Sequence, residues 1–329
     1  NGVGPEILLR SLENNELLSI CTPVIYGSVR SLSHTLNHLG FDISFNKINS
    51  ADKSKEGKIN VVDNFKNPPE ISFGALNKEV GHAAFESIKK GVKDLKEGKI
   101  DVLVTPPINK EAIHSDDFPF MGHTDYIDSE INGSSTMMMV SNDLRIALLT
   151  EHIPVAKVTE SITPELVENK VNALNETLMR DFQIERPKIA ILSIDPHVGD
   201  GGVIAENDKK LIVPAIKKVQ DSGVLVYGPF SADSFFGSAE YKKYDLIIAA
   251  YHDQGLIPFK TLSFGMGVNY TSGLDKIRTS PDHGTAYSIA GKGVASTESF
   301  LCSIYLAIDV YRRRKIYDEF SKNKLETSQ

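Results

Sequence analysis

The chain has two cysteines, Cys21 and Cys302, too few for a disulfide framework. That scarcity points to a reducing, cytoplasmic setting, with both thiols expected as small core side chains. No apolar run approaches the roughly 18 residues that a membrane-spanning helix needs, so no membrane partner is expected. No Lys/Arg-rich block occurs either, and 36 basic against 43 acidic residues leave a formal net charge of −7. Binding along a nucleic-acid backbone needs clustered basic groups, so no nucleic-acid partner is expected. Low-complexity linkers and repeats of about 20 to 50 residues are also missing, which argues against an array of small modules. Neither a Met nor a strand precedes the turn at Asn1, Gly2, Val3, Gly4 and Pro5. The opening therefore reads as a strand–turn–helix unit cut in the middle, with residues expected upstream.

What is present is the mix of a globular protein: 41% hydrophobic and 24% charged residues over 329 positions, enough for about two domains. Short apolar runs alternate with helical stretches almost from end to end. Strands are expected over 23–27, 59–62, 101–105, 188–193, 224–227 and 245–249, with a hairpin from 136–140 and 145–149. In 76–97, Leu76, Val80, Ala84, Ile88, Val92 and Leu95 recur at helical spacing, and helices are likewise expected over 164–181 and 207–222. A last helix runs from 296 into Arg312, Arg313 and Arg314, expected as a solvated C-terminal end that complements the helix dipole. Strand–helix alternation of this kind implies an α/β architecture with a mainly parallel sheet and interleaved domains. In such sheets ligands gather beyond the carboxyl ends of the strands.

Three strands are each followed by a histidine in polar company: His152 after 147–150, His197 after 189–193, and His252 after 246–250. Imidazole is the commonest neutral ligand for zinc and similar cations, and three protein ligands with one open position make a catalytic zinc site. Asp253 adjoins His252, and Asp195 and Asp200 flank His197, so carboxylates are at hand to orient the rings. The alternative is that each histidine caps loop carbonyls at a strand end. His34 and His38, four apart on a helix, and His82 and His114 read as surface residues. His123 opens a helix, where free N–H groups bind anions, or else Thr124 is a simple cap. Lys260, Asn269 and Arg278 are groups that hold phosphate or carboxylate, or ordinary surface residues.

Seven segments in order, GVGPE (2–6), TPPINK (105–110), GHTD (122–125), DPHVGDGG (195–202), YHDQG (251–255), GVN (267–269) and RTSPDHGT (278–285), resemble the motif set of the 4-hydroxythreonine-4-phosphate dehydrogenase family. DHGTA (282–286) with IAGKG (289–293) also resembles the adenine-side loop of isopropylmalate and isocitrate dehydrogenases. The likeness implies two α/β domains flanking a cleft, in an isocitrate/isopropylmalate dehydrogenase-like fold. The first domain would hold 1–125 and 285–329, on the cofactor side; the second, 126–284, would hold the metal ligands and the dimer interface. It implies a homodimer with a shared active site, NAD (or NADP) as oxidant, and a divalent metal: zinc, magnesium or cobalt. The metal would fall to His152, His197 and His252, with His252 the ligand supplied to a partner subunit. Substrate would meet His123, Thr124, Asp233, Lys260, Asn269 and Arg278, with His123, Asp253 and Lys260 as catalytic residues. Asp282, His283, Gly284, Thr285 and Gly291 would bind the cofactor. Asp195, Val198 and Met266 depart from the commoner family residues, and none of the three is a metal ligand.

The implied reaction is oxidation of a phosphorylated amino acid, 4-phosphohydroxy-L-threonine, to a β-keto acid. That acid decarboxylates to 3-amino-2-oxopropyl phosphate, in vitamin B6 (pyridoxal 5′-phosphate) biosynthesis. A related D-threonate or D-erythronate 4-phosphate dehydrogenase would use the same machinery. A non-catalytic metal- or phosphoester-binding protein on this scaffold is the reading from another class.

Overall fold

The computed structural model of the chain describes residues 1–13, 16–63, 65–120 and 122–322. The chain forms two compact units: 1–133 with 274–308, and 134–273 with 309–329. The strands in chain order are β1 (Val24–Tyr26), β2 (Phe45–Ile48), β3 (Ile59–Val62), β4 (Val102–Val104), β5 (Gly133–Val140), β6 (Arg145–Leu148), β7 (Lys188–Leu192), β8 (Leu225–Phe230), β9 (Leu246–Ala249), β10 (Val268–Leu274) and β11 (Ile277–Pro281).

In the first unit β1, β3 and β2 form a parallel sheet with β3 in the middle, and β4 pairs with β11 in parallel. All four residues of β3 are buried, the mark of a strand covered on both faces. The helix Lys78–Lys96 is capped by Asn77, whose side chain accepts from the N–H groups of Glu79 (2.8 Å) and Val80 (3.1 Å). Such a cap contributes about 1 kcal/mol. Its Phe85, Ile88, Val92 and Leu95 face a core with Leu103, Ile113, Phe118, Tyr126 and Ile127. Leu76, expected within this helix, lies before the cap and is exposed.

In the second unit the strands run in the order β10-β5-β6-β9-β7-β8. β5 and β6 form the expected antiparallel hairpin, while β6, β9, β7 and β8 pair in parallel. Met137, Met139, Ile146, Leu148, Ala190, Ile247 and Ala249 make its core with Leu256 and Phe259 of the helix His252–Ser263. The helix Pro164–Phe182 starts on a Thr163 cap with Pro at its first position, where a missing N–H costs nothing. The helix expected over 207–222 opens instead as a wide π turn, Asp208–Ile212, before Val213–Asp221.

Three further expectations differ from the structure. The last helix runs Glu298–Ser321, so the arginines fall inside it. Arg314 is only 8% exposed and pairs with the buried Asp181 of the second unit, to which the helix belongs from 309 on, rather than to the first. Residues 126–133 and 274–284 group with the first unit. Cys21 and Cys302 are both partly exposed, not core residues.

Candidate active site

β6, β9 and β7 lie side by side and point the same way, so their carboxyl ends open together. From β6 the chain runs through Thr150 to His152; from β9, through Ala250 to His252; from β7, through Ser193 to His197. The rings of His152 and His252 have centroids 5.8 Å apart. Asp253 faces Nδ1 of His252 at 2.7 Å. A carboxylate there accepts the Nδ1 proton and fixes the tautomer whose Nε2 lone pair is available to a ligand. The segment carrying His152 is braced from the helix behind it. Lys170 donates to the carbonyl of Leu148 (2.9 Å), and Glu151 accepts from the N–H of Met137 (3.0 Å). Burial lowers the Lys170 ammonium from its ordinary value, with Glu151 opposing that shift.

His197 is placed by a different device. His197, Val198, Gly199, Asp200 and Gly201 all have positive φ, between 45° and 74°. For a β-branched residue such as Val198 that region is an outlier, and strain of this kind collects at functional sites. At Gly199 a Cβ would meet the carbonyl oxygen of Ala205. The loop is held by the π turn: Asp208 accepts from the N–H groups of Ile194 (2.8 Å) and Asp195 (3.0 Å), and Asp195 accepts from Asn207. Burial raises the Asp208 carboxyl above its usual range. Among the described residues, no group of three or more His, Cys, Asp or Glu side chains stands arranged to hold a metal. One chain thus brings together His152 and His252, and not all three histidines.

The other expected residues divide between the units. In the second, Asp233 accepts from Ser231 Oγ (2.7 Å) and the N–H of Ser234 (2.7 Å), and these bonds, with a smaller effect of His197, lower its carboxyl. Lys260 is exposed on the helix His252–Ser263. Oδ1 of Asn269, in β10, is buried without a hydrogen-bond partner, an acceptor to which a ligand can donate.

In the first unit Arg278, on β11, is 2% exposed and donates from Nε (3.1 Å) and Nη2 (2.8 Å) to Oγ1 of Thr105. Burial brings this guanidinium down to about 10, and it remains charged at neutral pH. His123 is the first residue of the helix His123–Glu130. Burial, and then the Arg278 charge, holds its imidazole well below the ordinary value, so the ring is neutral. Gly122 is the cap residue, and Thr124 lies in the first turn.

The expected cofactor loop is also in this unit. Thr285 accepts the Val3 N–H (2.9 Å), and a Cβ on Gly2 would collide with Thr285. Asp282 is tied to Ser299. His283 Nδ1 faces the carbonyl of Gly284 (3.0 Å), while its buried Nε2 has no partner. A Cβ on Gly284 would meet nothing within 4 Å. Gly291 has φ +75° and abuts Phe73; its carbonyl meets His38 Nε2 at 2.9 Å. His34 stacks on Phe73, and His38 packs against the same ring at a tilt. The surface pair thus supports this loop. Sequence reasoning missed Lys170, Asp208, Thr105 and His38, which act on backbone atoms or on another side chain and so leave little local signal.

Residues 19–307 match the family model described as "Pyridoxal phosphate biosynthetic protein PdxA". The chain is 44% identical over 317 residues to a 4-hydroxythreonine-4-phosphate dehydrogenase of Bacteroides thetaiotaomicron, covering 96% of this chain and 87% of that one. It is 35% identical over 318 residues to a D-threonate 4-phosphate dehydrogenase of Cupriavidus necator, with 95% of each covered. The crystal structure of 4-hydroxythreonine-4-phosphate dehydrogenase from Klebsiella pneumoniae superposes with a TM-score of 0.81 at 30% identity, covering 94% of this chain and 95% of that one.

Proposed function

The chain belongs to the PdxA family of pyridoxal phosphate biosynthetic proteins, and we propose that it oxidises the secondary alcohol of 4-phosphohydroxy-L-threonine with NAD and a divalent cation, releasing carbon dioxide from the β-keto acid that results. The observation that carries the reading is the pair of imidazoles, His152 and His252, 5.8 Å apart beyond adjacent parallel strands, with Asp253 on the far nitrogen of one ring. Two neutral nitrogen donors with a carboxylate behind one of them suit zinc or cobalt, and magnesium less well. His152, His197 and His252 would hold the cation, with a second copy of the chain completing the set. Bound there, a divalent cation supplies Lewis acidity to an alcohol or ketone oxygen. NAD supplies the hydride acceptor, and 282–285 with Gly291 would hold it.

The remaining work falls to the chain's own residues. Arg278, charged and dry, would bind an anionic end of the substrate, with neutral His123 beside it as a hydrogen-bonding group. Lys260, on the helix that His252 opens, would take the other anionic end. Asn269 Oδ1 would accept from a substrate N–H or O–H. Asp253 would keep His252 in its ligating tautomer. A homodimer is supported by apolar side chains exposed along and after that same helix: Ile257, Leu262, Met266 and Phe264, the last 85% exposed. The second reading, a D-threonate 4-phosphate dehydrogenase, is favoured by the relative of that name.

NADH formation with the amino and the hydroxy substrates, before and after chelation, tests both. Activity with 4-phosphohydroxy-L-threonine that chelator abolishes and added cation restores is the expected result. Faster turnover of D-threonate 4-phosphate would establish the second reading, and no NAD reduction with either would overturn both.

A further inference from the structure

The three strand ends that carry the histidines are joined through the backbone of one residue, Ala250. The carbonyl of Ala250 accepts from Thr150 twice, from the backbone N–H (3.2 Å) and from Oγ1 (2.7 Å). The N–H of Ala250 donates to Oε1 of Gln254 (2.7 Å), and Nε2 of the same amide donates to the carbonyl of Ser193 (2.7 Å). Thr150 is two residues before His152, Ala250 two before His252, and Ser193 four before His197. Thr150 and Ser193 are buried, and Ala250 is fully so. The β ladder has ended by this level: β9 closes at Ala249, β6 at Leu148 and β7 at Leu192. Past these residues backbone bonds still tie the β6 segment to the β9 segment, from Leu149 N–H to the Ala249 carbonyl (2.8 Å) and from Thr150 N–H to the Ala250 carbonyl, and the Thr150 hydroxyl and the Gln254 amide add side-chain bonds at the same level.

We propose that Gln254 and Thr150 are positioning residues, which set the spacing of the segments bearing His152, His197 and His252 through the backbone N–H and carbonyl of Ala250. The inference rests on the cation-binding reading above and adds to it the parts that place the ligands. Gln254 suits the task because its amide is both acceptor and donor. It takes one N–H from the strand end in its own segment and gives one to the neighbouring strand end. A carboxylate keeps the first bond and loses the second, setting like partial charges against each other at the Ser193 carbonyl. Thr150 is the matching part on the other side, and valine has its shape without its hydroxyl. Neither residue touches the cation in this scheme, so their loss would loosen the site and leave the ligands present. Outer partners of this kind affect metal affinity by about 10–100-fold.

The test is calorimetric titration of the metal-free protein with zinc, together with the visible spectrum of the cobalt-loaded protein, for Gln254→Glu, Thr150→Val, Thr150→Ser and, as reference, His197→Ala. The expected result is zinc affinity about 10-fold or more weaker in Gln254→Glu and Thr150→Val, with altered cobalt bands. Thr150→Ser, which retains the hydroxyl, should restore both, and His197→Ala should bind no zinc at the site. Wild-type affinity and spectrum in Gln254→Glu and Thr150→Val, with His197→Ala still dead, would overturn the positioning role while leaving the cation site standing. Equal loss in Thr150→Ser and Thr150→Val would also overturn it, since the hydroxyl would then be irrelevant. Tight zinc binding by His197→Ala would instead refute the cation reading itself. Should Gln254→Glu not fold, the Thr150 pair decides alone.

Discussion

Replacing Arg278 by methionine, of similar reach and no charge, tests the substrate side of the site. The guanidinium is 2% exposed and keeps its charge although burial lowers it to about 10, so an anion that reaches it meets a cation with almost no competing water. Removing one partner of such a dry, hydrogen-bonded charge pair costs about 2–5 kcal/mol, much of it the penalty on the anion left behind. At about 1.4 kcal/mol per tenfold, KM for the phosphorylated substrate should rise by about 30-fold to several thousand-fold. KM for NAD should stay near its wild-type value, because the anion assigned to Arg278 belongs to the phosphorylated substrate. Steady-state kinetics at neutral pH, with each substrate varied in turn, read the two constants separately. A KM for the phosphorylated substrate within threefold of wild type would refute the assignment of Arg278 as an anion anchor. An equal rise in both constants would mean that the variant had disturbed the unit rather than removed a contact. Thr105→Val is the companion variant: it removes the hydroxyl that accepts from Nε and Nη2 of the guanidinium and should raise the same KM by a smaller factor.

Two further outcomes follow from buried titratable groups. Arg314 donates to both carboxylate oxygens of Asp181, from Nε at 2.6 Å and Nη2 at 3.0 Å, and to the Tyr270 hydroxyl at 3.0 Å. Burial alone would raise the Asp181 carboxyl, but the bonds and charges of Arg314 and then Arg180 hold it below the usual range. Arg314→Met should therefore cost about 3–5 kcal/mol in urea unfolding, and a loss under about 1 kcal/mol would contradict the buried pair as a stabilising contact. His123 gives the pH dependence. Its folded value is depressed, by burial first and then by Arg278, so below about pH 6.5 the unfolded chain takes up a proton that the folded one refuses. Stability should fall as pH drops below that value, by up to about 1.4 kcal/mol per pH unit for this one group. The His123→Gln protein should lose less stability over the same interval, and parallel curves for the two proteins would refute a His123 held neutral in the fold.

How far the residue pattern reveals this molecule depends on the range over which each part is specified. The strands at 59–62 and 188–192 and the helix from Pro164 were legible because alternation, helical spacing and capping residues are local. The exit of three histidines from strand ends was legible for the same reason, since a strand boundary is local too. The strand order that brings β6, β9 and β7 side by side was not, because any parallel arrangement would satisfy the same pattern. Arg314 shows the limit most clearly. An arginine late in a helix reads as solvated, and only the fold brings Asp181, 133 positions away, to within 2.6 Å of it. The Ala250 backbone is harder still, because its acceptor and donor are atoms that every residue but proline carries. Gln254 could have been suspected only from its place between a histidine segment and a helix core. What locates a ligand in a chain is its chemistry, and that is written in residue types. What locates the ligand in space is main-chain geometry, which Gln254, Thr150, Lys170 and Asp208 all reach with their side chains.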